Sequence, residues 1–492
     1  MRPTFMGLET TKRGLMVQQK ALDIIANNVT NISTKGYTRQ RLDTVTVQVY
    51  GNDRFTASSI PLAGQGVDMK GVAQIRDSFL DSKFRQEYGD VGYYDQKAAM
   101  LDEIQAAISD PEVDGTGIKN ALAVLSQAIS DFSENPQEET HANIVMNAFM
   151  GLTQILNEYD TKLKGVMENQ KNDLSIAIDD INTKFEQLTQ LNETIAHEIF
   201  LNTDYDGVTY GPNDLLDQRN VILDELSRYG EVNVTNRSDG TVQVKFNGKV
   251  VVDGQNNNYW NDTIKLGEDG TTMTWTSDGK KIALPTGALR SFSEVITGDS
   301  SLNKGIPYYQ HKLDAMASKM AELFNKVIPD TYQAGDPKVP DTYKKLLQGD
   351  EDGVVTAGNI SISDIWAKDF SYLIEKNNPN GLLDNENILD MKKLLTQDNE
   401  FGGFSGNFSE FVTHVTTTLG TDISSNTARM KASVATAQSV DTDRMSQSGV
   451  SLNEEGINMM AYNKAYQALG RLMTTMDEQL DILINNVGLV GR

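Results

Sequence analysis

From Tyr462 onward the apolar residues Tyr462, Tyr466, Leu469, Met473, Met476, Leu480, Leu483 and Val487 follow one another in alternating steps of four and three. Such a seam admits one conformation, a helix laid along a partner. Twenty-six helical residues run roughly 39 Å. Asn485, Asn486 and Gly488 close the pattern. No proline occurs after Pro379, so nothing interrupts a long helix there. The other end of the chain mirrors this one. Leu8, Leu15, Leu22 and Val29 recur every seven residues, with Thr11, Gln18, Ile25 and Ile32 between them. The first 35 residues therefore read as helix, stopped by Gly36. A helix with one narrow apolar stripe needs a partner to bury it. The pattern predicts that the two ends pack on each other, and that further copies of the chain cover what remains.

Between the ends the period changes twice. His141 to Phe200 contains no proline, and Val145, Phe149, Leu152, Leu156, Tyr159 and Leu163 keep a helical step that Leu174, Ile178, Ile181, Phe185 and Leu188 resume. This predicts one or two long helices. Val45–Val49 alternates like a strand, and from Val232 the period is two. Asp239–Gly240, Asn247–Gly248, Asp253–Gly254, Asp269–Gly270 and Asp278–Gly279 are hairpin-type turn signals, so Glu231 to Leu284 predicts a small all-β unit. Helix returns near Tyr309–Val327, then at Phe408–Leu419 and Met430–Met445. The expected fold is mainly α with an inserted all-β domain. Its nesting puts the terminal helices (1–44 and 450–492) in a coiled-coil-like inner domain. A mainly helical middle domain follows (45–230 and 288–449), with 330–408 as a loop-rich part. An outer β domain (231–287) completes it.

Acids outnumber bases 68 to 44 over 492 residues, a net charge of −24. This argues against nucleic acid, whose phosphates need a concentrated positive surface, and against an anionic membrane. No segment is long and apolar enough to span a bilayer. The absence of cysteine removes disulfides, zinc–thiolate sites and cysteine nucleophiles, and suits passage between redox compartments. The N-terminal twenty residues lack the apolar run of a secretory signal, which taken alone predicts a cytosolic chain.

A search for chemistry returns little. His141, His197, His311 and His414 stand apart in sequence, outside any metal-ligand spacing. No Walker loop or GxSxG elbow occurs. Adjacent acids such as Asp179–Asp180 and Glu454–Glu455 face different ways on a helix and read as solvated faces. Asn202, Asp204, Asp206 and Gly207 fit the first half of an EF-hand calcium loop. The second half does not fit: Asn213 stands where a bidentate Glu is needed, and Pro212 precedes it. Asx-turn chemistry explains the same residues without metal. No cofactor, metal site or catalytic site is predicted.

The stretch ANNVTNISTKGYTRQR, Ala26 to Arg41, is helical at first, then polar and free of acids. It resembles the N-terminal motif of bacterial flagellar axial proteins, the rod, hook and hook-associated proteins. The matching residues are Asn27, Asn28, Asn31, Thr34, Gly36 and Tyr37, and Thr38-Arg39-Gln40 is similar to the hook-associated branch. Lys35 departs from the proline common there. Ser448–Gly488 is similar to the family's terminal helix through Gly449, Val450, Leu452, Glu454, Glu455, Tyr462, Ala465, Tyr466 and Ala468. Asn213–Val234 resembles a segment of the hook-associated members at the first hook–filament junction.

The resemblance implies a structural, non-enzymatic protein outside the cell, exported without a cleaved signal. It implies a ring of copies between hook protein and either a second junction protein or filament protein. It also implies an export chaperone on the C-terminal helix, and no nucleic acid or membrane insertion. Two other readings stand beside it: a hook- or rod-type axial component, and a calcium-binding adhesive module. The expected subunit contacts are the motif residues with Arg39, and the stripes Leu8, Leu15, Leu22, Val29 and Tyr462 to Val487.

Overall fold

The computed structural model describes residues 6–47, 64–108, 116–201, 211–237, 239–255, 258–333, 336–350, 353–376, 381 and 384–486. The calcium-like stretch falls largely outside them, as does Val487. Helices α1 (Met6–Thr30), α2 (Ser78–Ile108), α3 (Gly117–Glu134), α4 (Glu139–Leu201) and α5 (Asn213–Ser227) precede the main sheet. Helices α6 (Ala288–Thr297), α7 (Ile306–Phe324), α8 (Asp364–Lys368), α9 (Glu386–Thr396), α10 (Phe408–Ser448) and α11 (Leu452–Asp481) follow it. The protein is thus mainly helical with small antiparallel sheets.

The proline-free stretch forms one helix, α4, of 63 residues. At 1.5 Å per residue it is about 95 Å long. Its buried face is the predicted one: Val145, Phe149, Leu152, Leu156, Leu163, Leu174, Ile181, Phe185 and Leu188 are fully covered. Phe408–Leu419 and Met430–Met445 are likewise a single helix, α10, of 41 residues. The polar stretch that hid this continuity is held from outside. Asp422 takes the Lys304 ammonium at 2.9 Å, and the Asn426 amide donates to the Tyr94 carbonyl at 2.9 Å. A capping box starts α10: Asn407 accepts from the Glu410 N–H, and the Glu410 carboxylate accepts from the Asn407 N–H. Helix α10 packs along α2, and α1 along α11.

Strands β1 (Gln40–Thr46) and β2 (Val67–Gln74) form an antiparallel ribbon beside α1. The predicted Val45–Val49 strand enters this ribbon through its first two residues, and Gln48 and Val49 lie outside the described residues. The main sheet orders β3 (Val232–Asn236), β4 (Val242–Phe246), β5 (Lys249–Gln255) and β6 (Asn258–Asn261), and β7 (Ile264–Leu266) pairs with β8 (Met273–Trp275). Asn247 at φ 49° and Gly248 at φ 84° make the tight β4–β5 turn. Asp253–Gly254 is not a turn. It lies inside β5, opposite Trp260 and Tyr259, and Asp253 pairs with Arg237 at 2.6 Å.

The sheet is docked on α4 by two asparagines. The Asn192 side chain accepts from the Val242 N–H and donates to its carbonyl, and Asn182 does the same for Ile264. Each satisfies a buried backbone pair as a neighbouring strand would. Phe246 meets Phe185 edge-on at 5.5 Å, so one apolar cluster runs from the helices into the sheet.

The 330–408 stretch holds short hairpins, β9 (Pro329–Gln333) with β10 (Asp336–Tyr343), β11 (Leu347–Gln348) with β12 (Ser361–Ile362), and β13 (Asn399–Glu400) with β14 (Ser405–Gly406). Trp366 anchors it, buried against Phe149 at 5.4 Å.

Candidate assembly site at the paired termini

Helix α1 ends at Thr30, five residues earlier than the pattern predicts. A hydrogen-bonded turn follows. The Asn31 amide donates to the Asn27 side chain at 2.9 Å, and Thr34 donates to the Asn31 side-chain oxygen at 3.1 Å. These polar groups form local bonds that compete with the helix. Gly36 then reverses the chain at φ 81°. A Cβ there would lie 2.2 Å from the Val221 Cγ2 of α5, so both the conformation and the approach require glycine.

Asn28 is the centre of the site, 1% exposed. Its amide donates to the Gln40 carbonyl at 2.9 Å and to Glu455 at 3.3 Å. Its oxygen accepts from the Tyr37 hydroxyl at 2.8 Å and the Gln40 N–H at 3.0 Å. All four hydrogen-bonding positions of the amide are used. Burial, with the nearby Asp217 and Glu455 charges, pushes the Tyr37 phenol up to about 12, so it remains a donor. Arg39 binds Glu454 and Glu455, the latter at 2.7 Å, and its N–H donates to the Ser448 carbonyl at 2.8 Å. The adjacent acids thus converge on one guanidinium, and Glu455 is buried rather than solvated. The reason is that Glu454 and Glu455 stand in the first turn of α11, where the incoming chain passes across the helix end.

Helix α5 supplies the opposite wall. The Thr38 hydroxyl donates to Asp217 at 2.6 Å, and Gln74 donates to the same carboxylate at 2.9 Å. Burial raises the Asp217 carboxyl above its ordinary value, against the pull of the Thr38 donors and Arg76. Arg76 forks onto Asp81 at 2.6 and 3.0 Å. Asp224 takes Arg85 at 2.8 Å and Arg444 of α10 at 2.6 Å. Glu225 takes Lys35 and Lys184, each at 2.9 Å. These bonds tie the N-terminal turn, α2, α5, α10 and α11 into one joint.

Above the joint, α1 and α11 run side by side. The most buried row of α1 is Thr11, Gly14, Val17, Ala21, Ile24, Ile25 and Asn28. Leu8, Leu15 and Leu22 lie half-buried to one side of it, and Val29 is exposed. Small residues let the helices approach: a Cβ on Gly7 would lie 2.8 Å from Met476 and one on Gly14 3.1 Å from Leu469. On α11, Tyr462, Leu469, Met473, Met476 and Leu480 are half-buried, as is Ala465. Tyr466 and Leu483 are exposed, joined by Leu452, Ile457, Met459, Met460, Leu472, Ile482 and Ile484. Apolar side chains on several sides of α11 are therefore uncovered in the single chain.

No group of three or more His, Asp or Glu suited to a metal occurs among the described residues. His311 pairs with Asp299, and His414 stacks on Phe404.

Over its whole length the chain is 31% identical to the flagellar hook-associated protein 1 of Bacillus subtilis (strain 168), covering 100% of both proteins. The chain belongs to the flagellar hook-associated protein 1 family. Residues 101–336 match the family described as the flagellar hook-associated protein FlgK helical domain. Residues 8–38 match the flagella basal body rod protein family, and 443–486 the C-terminal family of the FlgEFG basal body rod proteins. The hook-associated protein 1 of Salmonella typhimurium is 25% identical over 49% of this chain and 41% of its own. The structure of the hook junction protein FlgK from Burkholderia pseudomallei overlaps 55% of this chain and 47% of that one, at 18% identity and a TM-score of 0.43, too slight an overlap to bear on how the parts are arranged. As a member of this family the chain is a structural component of the bacterial flagellum. The three stretches that carried the resemblance meet in space at the joint. Asp217, Asp224, Arg76, Asp81 and Arg444 complete it and were not picked out from the sequence. The run of charges in Asp214–Glu225, in a helix that lies within the core, was the available signal.

Proposed function

We propose that the protein forms a ring of copies between hook and filament and provides the surface on which the filament starts. The observation that carries this reading is the number of large apolar side chains left uncovered along α11, beside a paired α1. Many large apolar side chains exposed on one helix point to a contact surface. Copies of this chain, the hook protein and a second junction or filament protein are its occupants in the assembled axis. Asn27, Asn31 and Thr34 at the exposed turn, with Leu8, Leu15, Leu22, Val29, Tyr466 and Leu483, belong to this contact set. Before assembly, an export chaperone covers the C-terminal stripe by holding an amphipathic helix in a groove. The chain leaves the cell unfolded and without a cleaved signal, and it acts outside as a structural element rather than as an enzyme. It engages neither nucleic acid nor lipid. The terminal pair is its inner part, the helical body its middle and the 231–287 sheet its outer part.

Deletion of the gene followed by electron microscopy tests the role. Hooks without filaments, with filament protein shed into the medium, are expected. Filaments of normal number on the deletion strain would overturn the proposal.

A further inference from the structure

Behind the joint, a polar pocket of about 340 Å³ opens between α2, α5 and the first strands of the sheet. Three arginines line it, Arg76, Arg85 and Arg219, against one carboxylate, Asp81. Asp224, just outside the lining, also faces Arg85, so among the described residues the charge left without a carboxylate in an ion pair is that of Arg219. Two of the three are committed. Arg76 forks onto Asp81, and Arg85 donates to Asp224 and Asn220.

Arg219 is different. It is 7% exposed and pairs with no carboxylate among the described residues. Its Nη1 donates to the Gly240 carbonyl at 2.8 Å, which fixes the plane of the guanidinium. Its Nε is buried and has no hydrogen-bond partner among the described residues. Burial first, and then the charges of Arg85 and Arg76, lower its pKa to about 10. A buried cation crowded by like charges, with a donor left over, is a costly arrangement unless an anion completes it.

We propose that this pocket binds a free tetrahedral oxyanion, inorganic phosphate or sulfate, held by the Arg219 guanidinium with Arg85 and Arg76 behind it. The Gly240 bond holds the Arg219 guanidinium plane in place, and a planar cationic donor held this way suits an oxyanion. Ser78, Ser82 and Asn220 line the same pocket and add neutral donors. Buried Val232 and Val242 on the sheet side keep the local dielectric low and strengthen the attraction. The bound anion bridges α5, α2 and the β3–β4 hairpin, whose Gly240 carbonyl Arg219 already holds. Occupancy therefore stiffens the connection between the joint and the sheet.

The test uses the full-length monomer, with phosphate as the probe. Equilibrium dialysis at constant ionic strength is expected to show one saturable phosphate per chain, displaced by sulfate and not by chloride or acetate. The melting temperature is expected to rise with phosphate over an equivalent of chloride. Arg219→Gln is expected to weaken binding about tenfold or more, the worth of one charged hydrogen bond. If that variant does not fold, Arg219→Lys keeps the charge, lacks the fork and is expected to weaken binding in the same direction. Absence of saturable binding to the wild-type monomer overturns the proposal, including the case in which a neighbouring copy's carboxylate fills the pocket only on assembly. Undiminished binding by a folded Arg219 variant overturns it as well.

Discussion

The Thr38 hydroxyl donates to the Asp217 carboxylate at 2.6 Å, across 179 positions of sequence. Both residues are nearly fully buried, so the bond is shielded from water and joins the N-terminal motif directly to α5. Asp217→Ala leaves the Thr38 hydroxyl and N–H without an acceptor, and the Gln74 amide with the Asn213 carbonyl alone. A loss of about 2–3 kcal/mol is expected. Urea denaturation of the purified chain reads it, and a loss under about 0.5 kcal/mol, the level of an ordinary surface change, would contradict the assignment.

Asn28→Ala removes all four bonds of the central amide and orphans Glu455 on its Asn28 side. The local cost is again about 2–3 kcal/mol, but it falls on the terminal pair rather than the whole body. Hydrogen exchange across Met6–Thr30 and Leu452–Asp481 is expected to accelerate while α4 remains protected. Unchanged exchange in both terminal helices would show that the amide holds nothing.

Gly36→Ala combines a strained φ with a methyl driven into Val221. The conformational part costs about 1 kcal/mol and the overlap more. The double variant Gly36→Ala, Val221→Ala separates the two, because it relieves the overlap and leaves the strain. A double variant less stable than the sum of the single changes would refute the contact.

Glu225 gives a pH signature. Hydrogen bonds from Lys184, and then Lys35, hold its carboxyl below the ordinary value of 4.5. A depressed carboxyl contributes stability above its unfolded pKa and loses it as pH falls through the folded one. Glu225→Gln is therefore expected to be less stable than wild type near neutrality, and the two melting curves converge in acid below pH 4.5. The gap is small because both lysine pairs reach solvent. Curves that diverge on acidification would reverse the sign.

Ile457→Ser and Leu472→Ser test the uncovered apolar residues of α11, where these side chains are 63% and 43% exposed. The monomer is expected to melt within about 0.5 kcal/mol of wild type, since little burial is lost. Filament attachment in a complemented deletion strain is expected to fall sharply. Full motility from the double variant would remove these residues from the contact set.

The long helices were legible because period and punctuation agreed along them. For α4, nothing between Pro136 and Pro212 contradicted the apolar step. On α11 the seam was legible in part: Tyr462, Leu469, Met473, Met476 and Leu480 are half-buried, whereas Tyr466 and Leu483 are exposed. On α1 it was displaced, because Gly7, Thr11, Gly14 and Ala21 make the closest contact and small residues carry no hydropathy signal. The division of α10 into two helices failed at a polar stretch whose support comes from Lys304 and Tyr94, distant in sequence. Asp253–Gly254 looked like a turn, but its aspartate is a strand residue neutralised by Arg237. The joint itself stayed hidden for the same reason: Arg39 with Glu455, and Asp224 with Arg444, pair through folding and not through spacing.

The link from α10 to α11 is only Gly449–Ser451, and Ser448 at its edge is pinned by the Arg39 N–H. A passive hinge of that length would let the terminal pair swivel. Here any swivel must first break the Thr38–Asp217 hydrogen bond and the Lys35–Glu225 pair to α5 and the Arg39 N–H bond to Ser448, so the joint resists torsion. Twist applied at the termini is passed into a rod about 95 Å long, α4, rather than dissipated in the linker. In a structure that turns as a whole, that makes the joint a coupling and the helices its shaft.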